Sequence, residues 1–118
     1  MLGDFLSASQ IYLACGKTDM RKSIDGLAAL VQQKFKLDPF QPALFLFSGC
    51  KHDRIKALFW EGDGFVLLYK RLENGRFQWP AAPDNLRSLT RQEFRWLLEG
   101  LSIEQPMAVK KVQVKNCM

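Results

Sequence analysis

No apolar run in this chain approaches the length of a membrane span. The longest, such as ALFLF and FVLLY, hold five residues, against the roughly 20 that a bilayer-crossing helix needs. The opening MLGDFLSASQ sets no basic stretch ahead of an apolar one, so no secretory signal is expected. Cysteine is scarce. Cys15, Cys50 and Cys117 are three, an odd number and far apart, which argues against a disulfide framework and for a reducing, cytoplasmic setting. Histidine occurs once, and CKH (Cys50 and His52) is the only close pair of metal-ligand types. Structural zinc sites gather close pairs, so neither a metal nor any other cofactor is expected. The phosphate-cradling glycine loop, G-x-S-x-G and H-E-x-x-H are all missing. Cys50 and His52 lack a separate orienting group for nucleophilic chemistry. The acidic residues fall mostly at caps and turns (Asp19, Glu61, Asp63, Glu73, Glu93) rather than converging as two-metal catalysis requires. No catalytic residue is assigned, and the expectation is that the chain is not an enzyme.

Acidic charge is the next deficit. Twelve Asp and Glu face 17 Lys and Arg across 118 residues, a net charge of +5. That balance favours an acidic partner such as nucleic acid, although charge placement must decide it. The hydrophobic share of 47% suits one ordinary globular domain. We place the domain at residues 1–105 and a basic tail, an edge strand or a disordered arm, at 106–118.

Periodicity gives the elements. QIYLACG reads as a strand ending at Gly16. Ile24, Leu27, Ala28, Val31 and Phe35 recur at helical spacing after TDMRKS, with Asp19 as N-cap, until DPFQP breaks the pattern. Gly26 weakens that helix unless something packs against its backbone. PALFLFSG is apolar throughout, as in a strand covered on both faces. DRIKALFW alternates, with Ile55, Ala57 and Phe59 on one face and Arg54, Lys56, Leu58 and Trp60 on the other. EGDG turns the chain into FVLLYKRLE, and Asn74-Gly75 is the strongest hairpin signal, leading into RFQWP. TRQE is a capping box from Thr90 to Glu93 ahead of the stripe Phe94, Leu97, Leu98 and Leu101, with Gly100 at its end. The fold class expected is α+β: an antiparallel β-meander of about four to five strands packed with two main helices.

Basic residues interleave with aromatics in the central hairpins. Pairing across EGDG would set Trp60 opposite Phe65 and Lys56 opposite Tyr69, a surface suited to phosphate contact and base stacking. The alternative is that Trp60 and Tyr69 are core residues beneath a helix. Arg21 and Lys22 stand at a helix start, against the dipole. Either they bind an anion there, or Arg21 pairs internally with Glu73 or Asp53. Arg91 and Arg95, with Arg87 upstream, either track a phosphate backbone or form a solvated face with Glu99. Candidate nucleic-acid contacts are thus Arg21, Lys22, Lys51, Arg54, Lys56, Lys70, Arg71, Arg76, Arg91 and Arg95. Trp60, Trp79 and Trp96 are candidates for a protein partner.

The strings DMRKSIDGL, FLFSGCKHDRIKALFWEGDGFVLLYKRLENGRFQWP and WLLEGL resemble, in order, the accessory protein encoded by the second reading frame of insertion-sequence-sixty-six transposons. That family is often called TnpB and is distinct from the RNA-guided nuclease of the same name. The resemblance spans roughly residues 10–103. It implies a non-catalytic accessory role in DNA transposition beside a separate transposase, with transposon-end DNA and that transposase as partners. Motif positions carry over to Asp19, Met20, Arg21, Asp25, Gly26 and Leu27. In the second string they fall on Asp53, Lys56, Trp60, Gly64, Lys70, Arg71, Leu72, Glu73, Phe77, Trp79 and Pro80. The loop SGCKH departs from the more usual Arg-rich or Asn-containing version. Two functions follow as expectations: DNA binding through a basic surface, or an adaptor that docks on the transposase without touching DNA.

Overall fold

The computed structural model describes residues 8–82 and 85–103. The described residues form β1 (Gln10–Ala14), α1 (Ile24–Gln33), β2 (Ala43–Phe47), β3 (Arg54–Trp60), β4 (Phe65–Arg71), β5 (Leu86–Leu89) and α2 (Arg91–Leu98). The strands make one five-stranded sheet in the order β4-β3-β2-β1-β5. The fold is α+β with two helices, as expected, but the sheet is mixed. β1 and β2 are parallel, Ile11 beside Leu44 and Leu13 beside Leu46. The reason is α1, which is a crossover: it returns the chain to the starting end of β1, and only a parallel neighbour can follow. The meander survives from β2 to β4, where both pairings are antiparallel.

Each face of the sheet carries its own apolar layer. Leu27 and Val31 of α1 pack with Ala14, Phe45, Phe47 and Leu58 on one side. On the other, Leu97 of α2 joins Leu13, Leu46, Ile55 and Phe59, with Phe77 and Trp79 inserted. β2 is buried at every position because both faces are covered. The alternation read in β3 holds, since Ile55, Ala57 and Phe59 enter one layer and Leu58 the other. The capping box is formed: Thr90 Oγ1 accepts from Glu93 N, and Glu93 Oε1 accepts from Thr90 N.

Three further expectations need correction. RFQWP is not a strand. Phe77 N donates to His52 O at 2.7 Å, after which Phe77 and Trp79 plug the core, 2% and 1% exposed, while Trp79 Nε1 donates to Ala14 O at 2.9 Å. The fifth strand is LRSL, which pairs antiparallel with β1. The N-cap of α1 is Ser23, not Asp19, so Arg21 and Lys22 precede the helix rather than occupy its first turn. Cys15 is buried, whereas Cys50 is disulfide-bonded, unlike the unpaired thiol expected. The tail at 106–118 lies outside the described residues.

Candidate nucleic-acid interface

One end of the sheet collects most of the candidate cations. The segment 18–22 is fastened there by Thr18 N donating to Ser48 O at 2.8 Å. Gly49 makes that approach feasible, because a Cβ at this position would lie 2.8 Å from Met20 Cγ. Beyond Gly49 the chain turns through His52, whose φ is 57°, into β3. Leu72 N then donates to Asp53 O at 2.7 Å, and Phe77 N to His52 O at 2.7 Å. Three loops are thereby tied together at one end. Arg21 and Lys22 sit on the first, Lys51 on the second and Arg76 on the third, while Arg54 lies directly opposite Arg71 and Lys70 is next to it. A 260 Å³ cavity opens among Met20, Gly49, Cys50, Lys51, Asp53 and Arg54.

Electrostatics divide these cations. Arg21 is gripped by Asp19, not by Glu73 or Asp53: Nε and Nη2 each donate across 3.0 Å, and Arg21 N also donates to Asp19 Oδ1 at 3.0 Å. These bonds from Arg21 hold the Asp19 carboxyl at about 2, below its usual 3.8, because they favour the ionised form. The Arg21 side chain nonetheless remains 91% exposed. Arg54 lies 3.5 Å from Asp53 and Arg71 3.1 Å from Glu73. Exposed ion pairs of this kind are weak and exchange readily. Lys22, Lys51, Lys70 and Arg76 have no ion pair among the described residues, so positive charge at this end is left uncompensated. Lys17, exposed on the same first loop, was missed by the sequence reading because it falls just ahead of the matched string DMRKSIDGL.

Two candidates are committed elsewhere. Lys56 Nζ donates to Met20 O at 2.8 Å and Lys22 O at 2.7 Å and stands 5.8 Å from the Tyr69 ring centroid. It buttresses the first loop from within. Arg91 Nη2 donates to Ala8 O at 2.8 Å, and Arg91 and Arg95 ride on α2 rather than on the clustered loops. Arg95 is exposed and has no ion pair among the described residues; Arg87 lies 3.6 Å from Glu93.

The aromatics separate likewise. The expected register holds, with Trp60 opposite Phe65 and Lys56 opposite Tyr69. Tyr69 is 52% exposed and borders the basic end. Trp60 packs at the far end against Phe40 and Phe65, with centroids 4.9 Å away in each case. Trp79 is buried, and its core position removes it from any partner surface. Trp96 is half-buried on α2. Among the described residues no group of His, Cys, Asp and Glu is arranged to hold a metal ion, and no helix is long and apolar enough to cross a membrane.

Residues 9–108 match the family described as IS66 Orf2 like protein. The chain is similar to uncharacterized protein y4hO of Sinorhizobium fredii (strain NBRC 101917 / NGR234), at 35% identity over 82% of this chain and 84% of that protein. It is also similar to uncharacterized protein y4jC of the same organism, at 34% identity over 91% of this chain and 89% of that one. No solved structure matches.

Proposed function

We propose that this protein, which belongs to the IS66 Orf2-like family, serves transposition by holding the DNA backbone against the basic end of its sheet. Family membership supports an accessory role beside the element's transposase. The single observation that carries the DNA reading is the group Lys22, Lys51, Lys70 and Arg76, without ion pairs among the described residues, on three tied loops and the adjoining end of β4. Arg21, Arg54 and Arg71 stand beside them in exchangeable pairs. Phosphates can take over those arginines without any refolding, since each competing carboxylate is within two residues in sequence. Tyr69 beside the cluster offers a ring to an unstacked base. No bond-breaking step is assigned to the chain itself.

The test is fluorescence anisotropy of labelled transposon-end and scrambled duplexes across a salt series. Affinity should fall steeply, with a log–log slope near −0.9 for each phosphate engaged. Lys51→Ala and Arg76→Ala should each flatten that slope by about 0.9 while leaving the fold intact. A slope near zero would remove DNA from the proposal. The adaptor reading would then lead, supported by the exposed Leu98 and Leu101 (39% and 46%) near α2. Co-purification with the transposase after nuclease treatment is its measurement.

A further inference from the structure

We propose that the free edge of β4 is a self-association site, and that two copies pair antiparallel through it into one continuous ten-stranded sheet. Among the described residues β4 ends the sheet, and its outward backbone groups can be identified. Glu61 N donates to Gly64 O, and Leu72 N to Asp53 O, which makes both of these pairs hydrogen-bonded rungs of the β3–β4 ladder. Alternation along an antiparallel ladder then turns Val66, Leu68 and Lys70 toward β3. The N–H and C=O groups of Phe65, Leu67, Tyr69 and Arg71 point away from the sheet. Among the described residues no strand receives them, and an edge of seven residues is a template for another strand.

Charge along the edge selects a second copy as the occupant. The strand begins at the acidic turn Glu61–Gly64 and ends at Lys70 and Arg71. There Glu73 of the same copy, 3.1 Å from Arg71, leaves a net positive charge and an exposed pair that a second carboxylate can exchange with. Glu61 Oε2 is buried without a hydrogen-bond partner among the described residues, and Asp63 has no ion pair among them, so the described residues leave negative charge at this end unmet. A two-fold axis at Leu67 sets outward groups against outward groups. Phe65 then faces Tyr69 of the second copy, Val66 faces Leu68, and Lys70 faces Gly64, where nothing lies within 4 Å of an added Cβ. Arg71 comes beside the second copy's Asp63, and the reverse contact repeats across the axis. Parallel addition would instead stack Arg71 near Arg71. On the α2 side the incoming Val66 and Leu68 supply an outer wall to an apolar groove of 260 Å³ bordered by Ile55, Ala57, Leu68, Phe94 and Leu98.

Sedimentation of the full chain across a concentration series tests this. A reversible dimer is expected, with amide exchange at Phe65, Leu67, Tyr69 and Arg71 slowing as it forms. Arg71→Asp and Asp63→Arg should each weaken the dimer by roughly tenfold, and the two together should restore it, since like charges become opposite again. Leu67→Pro removes an outward N–H and no β3–β4 bond, so it should yield a folded monomer. A chain that stays monomeric overturns the proposal. If the β4 amides are protected in that monomer, the occupant is another segment of the same chain. A dimer indifferent to the charge reversals and to Leu67→Pro overturns it as well, by placing the interface elsewhere.

Discussion

Replacing Lys56 by methionine keeps an unbranched apolar stem and deletes the ammonium. In the native protein that ammonium donates to Met20 O at 2.8 Å and Lys22 O at 2.7 Å, joining β3 to a loop more than thirty residues earlier. A hydrogen bond involving a charged group contributes about 1.5–3 kcal/mol when well enclosed. Lys56 is only partly buried, so water will replace part of the loss at both carbonyls. The Tyr69 ring, 5.8 Å from Nζ, adds roughly 0.5 kcal/mol. We therefore expect Lys56→Met to cost about 2–3 kcal/mol, which lowers the melting temperature of a domain this size by about 10 °C.

The informative experiment sets that variant beside Lys51→Ala. Both remove one positive charge, but only Lys56 is bonded to the scaffold. Thermal melts and salt-dependent DNA titrations should separate them: Lys56→Met loses stability, and Lys51→Ala loses one phosphate's share of the salt slope. Amides of residues 18–22 should exchange faster in Lys56→Met, since that is the loop released. A Lys56→Met protein that melts within about 2 °C of the parent refutes the buttress. If its DNA salt slope also fell, Lys56 would be a direct phosphate contact, as the sequence pattern first suggested.

The Asp19 carboxyl should titrate at about 2 rather than 3.8 when followed by carbon NMR. Because the folded value is depressed, its stabilising contribution is complete above pH 4–5 and disappears as pH falls through 2; a midpoint near 3.8 would mean that the Arg21 clamp does not form. Trp79→Phe should cost about 2–4 kcal/mol in urea unfolding, from lost ring volume together with the bond to Ala14 O. An unchanged midpoint would mean that Trp79 is not the core plug described.

Local signals in this sequence were legible and distant ones were not. The Thr90–Glu93 box needs only residues three apart, and the β3–β4 register follows from the tight EGDG turn, so both could be read directly. The parallel β1–β2 pair depends on where α1 delivers the chain, which hydrophobic spacing does not encode. RFQWP alternates like a strand because Phe77 and Trp79 are buried while Gln78 is exposed, yet it lies beneath the sheet and joins no ladder. LRSL has four residues, two of them polar, too short a pattern to stand out. The same limit applies to the cations. A lysine at position 56 looks identical whether its ammonium meets solvent or two carbonyls of a distant loop. Arg91 likewise gives no local sign of its bond to Ala8 O, 83 residues away.

These two classes of cation explain how one small sheet can carry a charged face without losing its shape. Lys56 and Arg91 bond to backbone carbonyls, contacts that fix loops and segments and that no mobile anion can displace without local unfolding. Arg21, Arg54 and Arg71 instead pair with carboxylates one or two residues away. A partner so close in sequence bridges no distant elements, and water screens so exposed a pair, so it adds little to tertiary stability. What it does is hold each guanidinium in a defined place while lowering the repulsion among neighbours such as Arg54 and Arg71. A phosphate that replaces Asp19, Asp53 or Glu73 therefore meets a prearranged arginine and releases a carboxylate to solvent, with little to undo in the fold. The lysines and Arg76 between them supply the net attraction that makes the exchange favourable.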